Sequence, residues 1–132
     1  MAERHPNITI YTRALRTFNK NDLNAGREFF SENVVYRFPG RSPIAGEYRG
    51  IEQFFKVLQL LKDMTGGTLT IEPKIVLAND QAVMVYTHTT AQREGKTLDT
   101  DQVNLYRFNE ERKIFEGRII PFDLYAFDEF WL

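Results

Sequence analysis

Residues 51–70, IEQFFKVLQLLKDMTGGTLT, contain the point at which the repeat of apolar residues changes. Ile51, Phe54, Phe55, Leu58 and Leu61 recur at three and four positions, which predicts one broad apolar stripe on an α-helix starting after Gly50. Gly66 or Gly67 supplies the left-handed residue that ends it. Beyond that point the period drops to two. Strands are predicted at about 68–77, 82–93, 97–108 and 113–120, a spacing that suits antiparallel hairpins. The turns between them are Ala78-Asn79-Asp80, Arg93-Glu94-Gly95 and Asn109-Glu110-Glu111.

Upstream of the decisive stretch, Ile8, Tyr11, Leu15 and Phe18 fall at helical spacing after Pro6, giving a helix over about 7–19 capped by Asn7. Asn19 to Asn21 break it. Asp22 then caps a shorter helix with Leu23, Phe29 and Phe30 directed to the core. Residues 33–38, NVVYRF, read as a short strand stopped by Pro39-Gly40, with a loop leading to Gly50. Three helices ahead of an antiparallel meander give an α+β fold, with the helices on one sheet face. The tail FDLYAFDEFWL, from Phe122, is expected to cover a sheet edge or the mouth of the fold.

The composition bounds the function. The 132 residues carry 17 Lys+Arg against 18 Asp+Glu and no Cys, so a single domain over 1–132 is expected, without disulfide staples. A net charge of −1 gives no attraction for phosphate backbones or anionic lipid, and nucleic acid and membrane are not expected as partners. No apolar run spans a bilayer, and the opening MAERHPNIT lacks the pattern of a signal peptide, which points to the cytoplasm. The unusual feature is the aromatic excess: 11 Phe outnumber 8 Gly. Large apolar walls are needed somewhere.

The segments PGRSPIAGEYRG (Pro39–Gly50), TGGT (Thr65–Thr68) and DLYAFDEFW (Asp123–Trp131), in this order over this pattern of elements, resemble the nuclear transport factor 2-like superfamily, in its SnoaL-like, ketosteroid-isomerase-related branch. The resemblance implies a cone-shaped curved antiparallel sheet wrapped on the three N-terminal helices, a cystatin-like α+β roll, with an apolar pocket inside. It also implies a homodimer formed through the convex sheet face. The steroid isomerase uses a carboxylate base with a tyrosine and a protonated aspartate. Matched without gaps, the base position is Phe38, the tyrosine position is Ala14 with Tyr11 about one turn away, and the aspartate position is Asn104. The isomerase set is therefore not intact.

Tyr36 and Phe38 lie two apart on their strand and face inward together, either filling the core or stacking on a flat ligand. Asn104 alternates with Tyr106 and Phe108, with Gln102 on the same face. Its amide is satisfied by Tyr36 or Tyr106, or by a ligand. The pocket is expected to use Tyr36, Phe38, Phe55, Asn104 and Tyr106 for a small hydrophobic or aromatic molecule. Asn104, Asp123 and His88 are the candidates for catalysis. His88 has the pKa of a general base but is placed by the resemblance on the convex face, with Asp99 and Asp101 on the face opposite Asn104. Asp123 either caps a terminal helical turn or offers a carboxylate at the pocket rim. With two His and no Cys, no metal is expected, and no glycine-rich phosphate loop implies a cofactor. The function expected is a cofactor-free isomerase, cyclase, hydratase or epoxide-opening enzyme acting on a flat apolar metabolite. The alternative is a non-catalytic ligand-binding or dimeric interaction domain.

Overall fold

The computed structural model describes residues 4–132. The first three residues of the segment read for targeting lie outside them. Helix α1 runs Pro6–Asn19, a 3-10 helix Leu23–Phe29, and strand β1 Phe30–Phe38. After β2 (Gly46–Arg49) comes α2 (Ile51–Met64), then β3 (Thr70–Ala78), β4 (Ala82–Arg93), β5 (Lys96–Phe108), β6 (Ile114–Pro121) and α3 (Leu124–Trp131). One curved six-stranded sheet has the order β2-β1-β6-β5-β4-β3. The core sits between its concave face and the helices.

The stripe of α2 packs as its spacing predicts, with Phe54, Phe55, Leu58 and Leu61 buried. Its end is a left-handed glycine pair, Gly66 at φ 59° and Gly67 at φ 79°, and the Gly67 amide donates to Lys62 O at 2.9 Å. The meander β3 to β6 forms where the period of two placed it.

Four expectations change. The cap of α1 is His5, whose Nδ1 accepts from the Asn7 amide at 3.1 Å. Asn7 is instead fully buried, donating to Asn79 O and Asp80 O and accepting from Arg112 Nη1. The second helix is 3-10, and Asp22 makes no side-chain cap bond to it. Gly26 sits so close to α1 that a Cβ there would meet Thr17 Oγ1 at 2.6 Å. Leu23 and Phe29 are only half-buried, and Phe30 already belongs to β1. The segment read as a loop holds β2, four largely exposed residues paired antiparallel with β1. The sheet is not wholly antiparallel, because β1 runs parallel to β6 with Tyr36 opposite Gly117. The terminal helical turn expected after Asp123 forms as α3, which closes the chain. No helix among the described residues is long and apolar enough to cross a membrane.

Candidate functional site

Pleating decides which strand residues meet the helices. On β1 it turns Val34, Tyr36 and Phe38 inward, and on β5 Gln102, Asn104, Tyr106 and Phe108. The pairing of β4 with β5 is continuous from Ala82↔Arg107 to Arg93↔Lys96. With no bulge to invert the parity, Thr87 and Thr89 face inward and His88 outward.

Between the concave face and the helices lies a cavity of about 80 Å³. Tyr11, Leu15 and Phe18 of α1, Leu23 and Gly26 of the 3-10 helix, and Phe54, Phe55, Leu58 and Leu61 of α2 form one side. Tyr36, Phe38, Leu98, Gln102, Tyr106 and Ile119 of the sheet form the other, and Phe127 and Trp131 of α3 close an end. The rings lock one another in place. Tyr36 stacks on Phe54 with centroids 4.5 Å apart and planes 16° from parallel, and Tyr11 lies 5.3 Å from Tyr106. Room for the Tyr36 ring depends on Gly117, where a Cβ would come within 2.4 Å of it.

A polar row crosses this apolar wall. Gln102 Nε2 donates to Asn104 Oδ1 at 2.9 Å, Asn104 Nδ2 donates to the Tyr106 hydroxyl at 3.3 Å, and the Tyr106 and Tyr36 hydroxyls are 3.1 Å apart. Two phenolic protons serve one phenol–phenol bond, so one proton of the pair is left for another acceptor. Burial, reinforced by neighbouring tyrosines, raises Tyr36 and Tyr11 well above the ordinary phenol value, and burial raises Tyr106. All three are neutral donors at physiological pH. Four further polar atoms of the lining have no partner among the described residues: Gln102 Oε1, Thr89 Oγ1, the Tyr11 hydroxyl and Trp131 Nε1. No Asp, Glu, His, Lys or Arg lines the cavity among the described residues.

Of the residues singled out from the sequence, Tyr36, Phe38, Phe55 and Tyr106 lie on the cavity wall. Asn104 does not: it is fully buried behind the wall, its amide held by Gln102 and Tyr106, and Gln102 takes the lining position. Asp123 is exposed and accepts from the Ala126 amide at 3.0 Å as the cap of α3. His88 is on the convex face, its Nδ1 2.7 Å from Asp101 and its Nε2 2.6 Å from Asp99. Hydrogen bonding to Asp101, with Asp99 adding attraction, raises its pKa. Tyr86 donates to the same Asp101 at 2.6 Å. Among the lining residues not singled out as pocket residues are Gln102, Thr89 and Trp131. The tail did carry a signal for the last, since Phe127, Phe130 and Trp131 follow helical spacing. No group of three or more His, Cys, Asp or Glu among the described residues is arranged to hold a metal ion.

The SnoaL-like domain family matches residues 11–117. The chain belongs to this family. An uncharacterised protein of Mycobacterium tuberculosis is 30% identical over 94 residues, covering 70% of this chain and 71% of that one. Bal32a, from a soil-derived mobile gene cassette, is 35% identical with a TM-score of 0.91 over 96% of both chains. Two structures share the fold at lower identity. TerC, crystallised with polyporic acid, has a TM-score of 0.83 at 21% identity over 96% of this chain and 98% of its own. A Jannaschia protein named for its likeness to SnoaL-like polyketide cyclases has 0.80 at 18%, over 99% and 97%. The SnoaL-like domain described here thus shares the curved α+β architecture of the nuclear transport factor 2-like superfamily.

Proposed function

We propose that this SnoaL-like domain binds a small, flat, largely apolar molecule in its interior cavity and does so without proton abstraction. The observation that carries the reading is an aromatic-walled cavity that offers neutral hydrogen-bond donors and, among the described residues, no carboxylate or imidazole. Moving a proton near neutral pH requires a base that titrates there. Phe38 stands where the resemblance puts that base, and the tyrosines are held too high to serve. TerC, with the same fold, was crystallised with polyporic acid, which favours a small molecule as the ligand. At about 80 Å³ the cavity is smaller than the roughly 150 Å³ void known to admit benzene, so the wall must yield. The seven-residue 3-10 helix is the weakest part of that wall, because runs of this geometry are seldom longer than three or four residues. Native mass spectrometry of freshly purified protein tests the reading. A retained small molecule supports it; empty protein that takes up no aromatic compound refutes it.

A second reading is a cofactor-free cyclase or epoxide-opening enzyme, favoured by the remaining phenolic proton of the Tyr36–Tyr106 pair and by the fold shared with the cyclase-like Jannaschia protein. Here the pair would hold a developing oxyanion. Isomerase and hydratase chemistry has less support, since both need a base. Turnover of lactones, epoxides or polycyclic ketones that falls in Tyr36→Phe and Asn104→Ala supports this reading; rates unchanged in both variants remove it.

The same proposal includes a homodimer through the convex face. Ile75, Leu77, Met84, Ile120 and Phe122 are exposed there across neighbouring strands, a patch of the kind that marks association. Sedimentation velocity at micromolar concentration is expected to give a dimer; a monomer overturns it.

A further inference from the structure

We infer that the cavity selects a neutral, planar molecule carrying a hydrogen-bond donor as well as an acceptor, a hydroxylated aromatic ketone or its enol, and that Gln102 holds one of those two groups. The inference rests on the ligand-binding reading above and narrows it to a chemical class.

The first half of the requirement comes from charge. No ionised side chain lines the cavity among the described residues, so an anion or cation taken inside would lose its hydration without gaining a counter-charge. A neutral ligand meets no such penalty.

The second half comes from counting donors and acceptors. Gln102 is 1% exposed, and its Oε1 has no partner among the described residues while its Nε2 is held by Asn104. At the other end of the row, the tyrosine pair keeps one proton beyond the one it shares. The row thus shows the cavity an acceptor at Gln102 and a donor at the phenols. Turning over both amides reverses the row without altering the demand. Asn104 Nδ2 would then donate to Gln102 Oε1, leaving the Gln102 amide N–H toward the cavity. Both phenolic protons would run back along Tyr36, Tyr106 and Asn104, leaving lone pairs on Tyr36. In either direction one end presents a donor and the other an acceptor. A hydrocarbon satisfies neither end, and a simple ketone satisfies only one. A ring bearing both a carbonyl and a hydroxyl satisfies both.

Isothermal titration calorimetry with one-ring probes tests this: 4-hydroxyacetophenone, acetophenone and 4-acetylbenzoate. Trp131 is the sole tryptophan and lines the cavity, so its indole N–H signal in a proton–nitrogen spectrum reports whether a probe is inside. The hydroxyketone is expected to bind at least about tenfold more tightly than acetophenone, the loss that one unpaired buried acceptor brings. The benzoate is expected not to bind. In Gln102→Leu the preference for the hydroxyketone over acetophenone disappears. Acetophenone binding as tightly as the hydroxyketone to the wild type overturns the inference and leaves the cavity reading intact, and this comparison needs no variant to fold. A preference that survives in Gln102→Leu, or tightest binding by the benzoate, also overturns it. If no probe moves the indole signal, the cavity reading falls too.

Discussion

The two faces of one sheet divide the chemistry of this protein between them. On the concave face the polar side chains, Thr89, Gln102, Asn104, Tyr36 and Tyr106, are neutral and almost wholly buried, and Thr89 Oγ1 and Gln102 Oε1 have no partner among the described residues. On the convex face they are charged, partly exposed and paired. Glu116 bridges Arg37 and Arg107, Arg37 reaches Glu47, and His88 is held between Asp99 and Asp101. The same strands supply both sets at alternating positions, so the difference is imposed by solvent. Ions stay where water and counter-ions stabilise them, and only neutral groups tolerate the helix side. It follows that the histidine, the obvious base by residue type, is separated from the cavity by the thickness of the sheet.

The largest way to break this division is to fill the concave face. In Gly117→Ala the new Cβ lies 2.4 Å from Tyr36 Cε2 and 3.3 Å from Tyr106 Cδ1, and the Tyr36 ring can give way only by leaving its stack on Phe54 and entering the cavity. Destabilisation of about 3 kcal/mol in urea unfolding is expected, with loss of uptake of any aromatic probe. Almost as large is the effect of the charge that departs from the pattern. Lys62 is 4% exposed, with its ammonium bonded to Leu69 O at 2.7 Å and 4.0 Å above the Phe18 ring. Burial lowers its pKa from 10.5 to about 8. Between those values the unfolded chain holds a proton that the native chain has released, so native stability rises with pH across the window. Relative to Lys62→Met, the wild type is expected to gain about 2–3 kcal/mol between pH 7.5 and 10.5. A difference that stays flat with pH contradicts this.

A smaller effect sharpens the contrast within the concave face. Asn104→Leu leaves Gln102 Nε2 and the Tyr106 hydroxyl without their partner, and about 2 kcal/mol of stability is expected to be lost in chemical denaturation. Tyr36→Phe removes a terminal member of the row, and the Tyr106 hydroxyl keeps the bond it accepts from Asn104. A loss below about 1 kcal/mol is expected there, so the row would be organised around its middle.

These buried rows explain what could be read in advance. The stripe of α2 and the alternation of β3 to β6 are local patterns, and burial on one face follows directly from them. Phe38, Tyr36, Phe55 and Tyr106 were placed on the wall for the same reason. Asn104 against Gln102 could not be resolved this way, because both have the same parity and the choice depends on which amide the tyrosine captures. Strand β2 has four residues and almost no buried side, so it carries no alternation to read. The parallel pairing of β1 with β6 joins residues about 80 positions apart, a relation that no local period encodes.

The smallest expected effect is on the convex face, at His88. Its neighbours there are Asp99 and Asp101 on β5, Tyr86 on its own strand, and Glu72 and Lys74 on β3. The bond to Asp101, with Asp99 contributing, lifts the histidine pKa, while the bonds from Tyr86 and then His88 lower that of Asp101. A raised histidine value means that the native state holds the proton more tightly than the unfolded chain does. The stability gained is complete below about pH 6.5, the ordinary histidine value, and is lost as pH rises through the higher native value. In His88→Asn the decline of Tm across that interval is expected to flatten, and ligand binding inside the cavity is expected to be unchanged. A variant that keeps the wild-type slope would mean that the carboxylates draw no stability from the ring. One that weakens cavity binding would mean that the sheet does not separate its two faces.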